Sequence, residues 1–201
     1  MHFDTLKSRW KYVLASGSPR RKYLLEQLGL EFTLRPTDVE EGYPEELKGH
    51  EIAEYLSLKK GLAGRKNLQK GELQITCDTL VWLEGAALNK PGNYSEACEM
   101  LKRISGKPHE VFSGVTLSTL NNLVTFSSKT RVWFKKLEEQ EIDYYVTNFK
   151  PFDKAGSYGA QEWIGYIGME KIEGCYFNVM GLPLAELYMQ LRKFSEENPN
   201  E

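Results

Sequence analysis

The sequence predicts an α/β fold on a mixed, partly antiparallel sheet. Three observations carry this. Residues 73–84 (LQITCDTLVWLE) alternate with period two, placing Leu73, Ile75, Cys77, Val81 and Leu83 on one face. Segments 109–119 and 123–135 read as two long strands around Asn121-Asn122, a hairpin signal. Helical stretches fall between the strands without strict βαβ repetition, which argues against a purely parallel sheet.

The elements follow in order. Residues 10–16 (WKYVLAS) form a short strand. A helix opens at once, since Ser18 suits an N-cap and Pro19 the first helical position, where a missing N–H costs nothing. Leu24, Leu25 and Leu28 give it an apolar stripe, and Gly29 ends it. A second strand at 31–36 leads into an acidic loop reaching about residue 48. Ile52, Leu56 and Leu62 mark a helix over 50–65. After strand 73–84, Glu84-Gly85 begins a tight turn. Ala97, Met100, Leu101 and Ile104 mark a helix at 95–105 that stops at Gly106. Residues 138–149 form a helix ended by Pro151, and 156–174 read as loop plus strand. A final amphipathic helix spans 182–194. The expected organisation is an N-terminal extension (1–9), one domain (10–194) and a flexible tail (195–201).

A length of 201 residues and a net charge of -2 fit a globular domain and give no global attraction to nucleic acid or membrane. Charge is nonetheless clustered. Lys7, Arg9, Lys11, Arg20, Arg21 and Lys22 stand without an acid among them, and Asp38, Glu40, Glu41, Glu45 and Glu46 without a base. Three widely spaced cysteines with no CxxC exclude a disulfide framework and suit a reducing compartment. The start MHFDTLKSRWKY lacks the apolar stretch of a signal peptide, and no run approaches the ~20 residues that span a bilayer. The expected location is the cytoplasm.

Four segments could carry chemistry. Ser16-Gly17-Ser18-Pro19-Arg20-Arg21 is a glycine loop opening onto a helix N-terminus, where free N–H groups and the helix dipole favour phosphate. Its hydroxyls and guanidiniums add donors, although the spacing is not that of a Walker loop. Asp78-Thr79 interrupts the clearest strand. A carboxylate on a covered face must be compensated, so Asp78 is either a general base or metal ligand in a cleft or a structural aspartate. Lys90-Pro91, beyond the following turn, can reach an anion. Asp153-Lys154-Ala155-Gly156-Ser157-Tyr158-Gly159-Ala160-Gln161 combines small residues with the charge of Lys154 and the amide of Gln161, whose donor and acceptor suit a nucleobase edge. Each segment also has a plain structural reading: a capped helix, a surface lysine, a glycine-rich turn. His2, His50 and His109 show no metal-ligand spacing.

In order, LASGSPRRKYLLEQLG, CDTLV, NKP, LKRISGKPHEVFSGV, DKAGSYGAQ and EKIEGCYFNVMGLPLAELY resemble the Maf family of nucleotide pyrophosphatases from about residue 12 to 194. The resemblance implies a long twisted mixed sheet with flanking helices, in two lobes around a cleft, as in inosine-triphosphate pyrophosphatases. It implies hydrolysis of a nucleoside triphosphate to the monophosphate and pyrophosphate with a divalent cation, Mg²⁺ or Mn²⁺. By position, Asp78 resembles the catalytic acceptor of the water proton and a metal ligand. Ser16, Arg20, Lys60 and Lys90 match phosphate-holding positions, and Glu40 an acid implied to help bind the metal. Arg20, Thr79 and Gln161 match substrate discriminators. A 7-methyl-GTP branch carries an aromatic, Gln and Glu there, so Arg, Thr and Gln resemble the dTTP/UTP branch. Other modified nucleotides, or a non-catalytic role in septum formation, are the alternatives. The expected partner is the nucleotide alone, and a homodimer is compatible with the sequence. Departures from the family pattern are Thr76-Cys77 before the aspartate, Asn89, Pro108 and Gly61. Cys77 raises the question of oxidation beside Asp78.

Overall fold

The computed structural model describes residues 2–201. Seven strands form one mixed sheet: β1 (Lys11–Leu14), β2 (Phe32–Leu34), β3 (Glu72–Leu83), β4 (Ala86–Leu88), β5 (Pro108–Ser118), β6 (Leu123–Phe134) and β7 (Met169–Glu173). Their order is β2-β1-β3-β5-β6-β7, with β4 also on β3. β1 is parallel to both neighbours, and every other pairing is antiparallel. The expected mixed sheet is present. Its hairpin is closed by Thr119 N–H donating to Asn122 O at 2.9 Å.

Among the described residues eight α-helices surround it: α1 (Phe3–Arg9), α2 (Pro19–Gln27), α3 (His50–Arg65), α4 (Tyr94–Ile104), α5 (Glu139–Phe149), α6 (Trp163–Gly168), α7 (Tyr176–Met180) and α8 (Leu184–Glu197). Sequence periodicity does not reveal α1, α6, α7 or β4, all too short to complete a repeat. α1 lies within the expected extension. Leu6 is fully buried, and Tyr12 donates to its carbonyl at 2.7 Å. α8 continues to Glu197, into the segment expected to be a tail. Phe194 extends its apolar stripe, and buried Ser195 accepts Trp10 Nε1–H at 2.8 Å. Among the described residues no helix is long and apolar enough to cross a membrane.

Two alternating faces of β3 organise the core. On the odd face, Leu73, Ile75 and Cys77 pack with residues of α1, α2 and α8. Further along, Val81 and Leu83 pack with residues of α4 and α5. On the even face, Leu80 meets Ile52, Ala53 and Leu56 of α3, with Phe112. The strands thus run through two apolar bodies on one side, with α3 across the other.

The edges of β3 differ. One pairs with β5 along residues 74–82. The other is shared, by β1 over residues 72–75 and by β4 over 81–83. Residues 76–80 on that edge have no strand partner among the described residues. Asp78 stands in the middle of this gap.

Candidate active site

A cleft of about 560 Å³ opens at the gap in the β3 edge. A smaller hollow of about 70 Å³ adjoins it and shares Arg20, Arg21, Thr79 and Asp153 with it. Asp78 and Thr79 lie at the floor. As adjacent strand residues they face opposite sides of the sheet, yet the missing strand lets both reach the cleft.

Asp78 faces α3. It is opposite Gly114 in the β3–β5 ladder. A side chain at Gly114 would collide with the Ala53 backbone, so only glycine lets α3 lie this close to the sheet. Two turns along α3 stands Lys60, also buried. Its ammonium contacts Asp78 Oδ1 and pairs with Glu41 Oε1 at 2.9 Å. Lys90 reaches the other Glu41 oxygen at 3.1 Å. Burial lowers the proton affinity of Lys60, but Asp78 and Glu41 outweigh it, and the ammonium is held above its usual range. Burial likewise pushes Glu41 up, and Lys60 and Lys90 reverse this, bringing its carboxyl down to about 2.

Of the two adjacent glutamates in the acidic loop, Glu41 reaches the cleft, which Asp38 of the same loop also lines. Glu40, the position matched by resemblance, is exposed and does not line it, whereas Val39 and Glu41 on either side do. An acidic loop gives no periodicity from which to choose between adjacent glutamates.

The glycine loop forms the second wall. Ser18 caps α2 as expected, accepting Arg21 N–H at 3.4 Å. Ser16 Oγ accepts Ser18 N–H at 3.2 Å and Arg21 Nη1–H at 3.3 Å. Successive helical residues point about 100° apart, and the two arginines diverge accordingly. Arg20 crosses the mouth to Asp153 at 2.7 Å. Arg21 turns inward and donates to Thr79 Oγ1 at 3.1 Å and to Gly181 O at 3.0 Å. The Gly181 carbonyl also accepts the Thr79 hydroxyl at 3.3 Å and the Cys77 thiol at 3.3 Å. Sequence reasoning noted Arg21 only as a loop donor and gave Gly181 no role. The signal for Gly181 is the NVMGLP motif, whose glycine stands at the left-handed end of α7.

Buried Cys77 faces away from Asp78, and burial pushes its thiol up. This argues against easy oxidation, because the thiolate is the reactive form.

The third wall is the 153–161 segment. Gln161 lines the smaller hollow, and its Oε1 is buried without a hydrogen-bond partner. An unmet buried acceptor beside an open hollow is suited to a ligand donor. Lys154 differs from expectation. Its side chain is 9% exposed and is spent on Asp153 at 2.7 Å and Glu162 at 3.1 Å. It supports the wall and offers no free ammonium.

Of the carboxylates that line the cleft, which also include Asp38 and Asp153, Glu41 and Asp78 meet at the Lys60 ammonium. Among the described residues no group of three His, Cys, Asp or Glu could cage an ion. Two carboxylates suit an ion of the magnesium kind, which completes its shell with water and substrate phosphate oxygens.

A family model described as Maf-like protein matches residues 11–194. A dTTP/UTP pyrophosphatase of Bacteroides thetaiotaomicron is 50% identical over 186 residues, covering 92% of this chain and 96% of that protein. One from Phocaeicola vulgatus is 49% identical over the same shares. One from Christiangramia forsetii is 46% identical over 181 residues, covering 90% and 92%. A solved nucleoside-triphosphatase, a dITP/XTP pyrophosphatase of Mycobacterium abscessus, aligns with a TM-score of 0.44 at 17% identity, over 92% of this chain and 97% of that one. The family match runs from β1 into α8 and takes in every wall of the cleft, and the chain belongs to the Maf-like protein family.

Proposed function

We propose that this protein hydrolyses nucleoside triphosphates, dTTP and UTP by preference, to the monophosphate and pyrophosphate. The observation that carries this is the placement of Asp78. It lines the cleft in contact with Lys60, and next to it Thr79 also lines the adjoining hollow that holds the unpartnered Gln161 acceptor. The N-terminus of α2, Ser16, Arg20 and Lys90 hold the triphosphate, which displaces Glu41 from Lys90. Charge-assisted contacts of this kind fix the reacting phosphorus relative to the base.

Asp78, oriented by Lys60, accepts a proton from water attacking the α-phosphorus. The bond from that phosphorus to the oxygen bridging to the β-phosphate breaks, and pyrophosphate leaves with the electron pair. Such proton acceptance is worth roughly 10²–10⁴-fold. A divalent ion, Mg²⁺ or Mn²⁺, held by Glu41, Asp78 and phosphate oxygens, supplies charge neutralisation when bound. Gln161 Oε1 accepts the ring N–H of uracil or thymine, a donor that cytosine lacks. The reaction belongs in the cytoplasm, where free Cys77, Cys98 and Cys175 stay reduced.

The test is Asp78→Asn in a pyrophosphate-release assay with dTTP and UTP, with and without Mg²⁺ or Mn²⁺. A fall of at least ~10²-fold in kcat is expected. Near-wild-type rates would remove Asp78 from the role of base. A wild-type preference for 7-methyl-GTP would overturn the choice of nucleotide.

A further inference from the structure

Around Gln161 runs a chain of charges of which the catalytic reading uses only Arg20. Lys154 bridges Asp153 Oδ1 at 2.7 Å and Glu162 Oε1 at 3.1 Å. The second oxygen of Asp153 receives Arg20 at 2.7 Å, from the opposite wall. The second oxygen of Glu162 receives the Tyr145 hydroxyl, which in turn accepts Gly159 N–H at 3.0 Å. The links run from Arg20 through Asp153, Lys154, Glu162 and Tyr145 to the amide of Gly159. Gln161 is thereby bracketed by two fixed neighbours, Gly159 and Glu162. Two cations alternate with two anions, so the buried Lys154 ammonium is compensated. Burial raises the proton affinity of Asp153, and Lys154 and Arg20 outweigh it, keeping the carboxyl below its ordinary range.

We propose that Asp153, Lys154 and Glu162 are positioning residues forming a strut that fixes Arg20 and Gln161 relative to one another and so sets which nucleobase the site accepts. This rests on the reading of the cleft as a nucleotide site. A carboxamide has a donor and an acceptor, and after rotation it can match cytosine as well as uracil. Discrimination therefore requires that Oε1 be held toward the ligand, and a loosely supported amide loses it. The strut supplies that support and ties it to the arginine on the phosphate side.

The experiment uses Asp153→Asn, which keeps shape and removes charge at a half-exposed position. Glu162→Gln repeats it from the other end, with melting curves to confirm folding. Two readouts are taken: hydrogen exchange of the ligand-free protein over residues 16–21 and 156–162, and kcat/KM for UTP and CTP. Exchange is expected to rise in both segments together. The UTP-to-CTP ratio is expected to fall roughly tenfold, through KM, with kcat for UTP within about threefold. A purely structural role would slow both nucleotides alike. An unchanged ratio, or exchange altered only beside the substituted residue, overturns the strut. If the wild-type protein hydrolyses neither nucleotide, the functional reading falls, and the exchange data still decide whether the two walls are coupled.

Discussion

Replacing Lys60 with methionine removes an ammonium and keeps most of the side-chain volume. In the native cleft that ammonium touches Asp78 and Glu41. The Lys60 and Asp78 side chains are only 11% and 12% exposed. Removing one partner of such a buried pair leaves an uncompensated charge and costs about 3–5 kcal/mol. The Glu41 contact is half exposed and adds only ~0–1 kcal/mol. The expected loss at neutral pH is therefore roughly 4 kcal/mol, which lowers Tm by roughly 10 °C in a chain of this size. The folded proton affinity of Lys60 is raised, so its contribution is complete below its unfolded value and fades only as pH rises through the folded one. The deficit should thus stay flat from about pH 6 to about pH 9. Urea denaturation of both proteins across that range measures it, with pyrophosphate release recorded in parallel. A loss below ~1 kcal/mol at neutral pH would show that Lys60 is not the charge that compensates Asp78.

Three further outcomes are expected. Glu41 sits depressed from 4.5 to about 2, so its contribution is present above 4.5 and is lost as pH falls toward 2. Discounted for its exposure, Glu41→Gln should cost roughly 1 kcal/mol at neutral pH, with the gap in urea midpoint closing through that acid window. Gly114→Ala places a methyl group against the Ala53 backbone, so it should cost at least ~1–3 kcal/mol and lower turnover by lifting Lys60 away from Asp78. Wild-type melting and activity in that variant would mean that α3 need not lie so close. Iodoacetamide should modify half-buried Cys98 and Cys175 but spare Cys77 in the native protein, as read by mass spectrometry. Equal labelling of all three would refute the shielding of Cys77.

The long elements were legible because each spans several repeats of its pattern. β3, β5 and β6 show period two, and α3 and α4 an apolar stripe. A helix of five to seven residues, such as α1, α6 or α7, has no such repeat to read. At the site, Asp78 stood out because an aspartate inside an apolar strand demands an explanation. Lys60 did not stand out locally: it is one of two adjacent lysines, and only the packing of α3 at Gly114 selects it. That Glu41 rather than Glu40 lines the cleft, and that Lys154 pairs with Asp153 and Glu162, also depends on where partners from distant segments lie. No local pattern encodes that.

The interrupted edge of β3 has a mechanical consequence. β1 belongs to the body built on α2 and α8, and β4 to the body built on α4. Among the described residues no ladder bond on that edge joins the two, and the strand pairing that spans both is the continuous β3–β5–β6 ladder. The Arg20–Asp153 and Lys90–Glu41 pairs tie the mouth, and both are partly exposed and open to screening by salt. Ionic strength should therefore act on the resting width of the cleft before it acts on the stability of the fold.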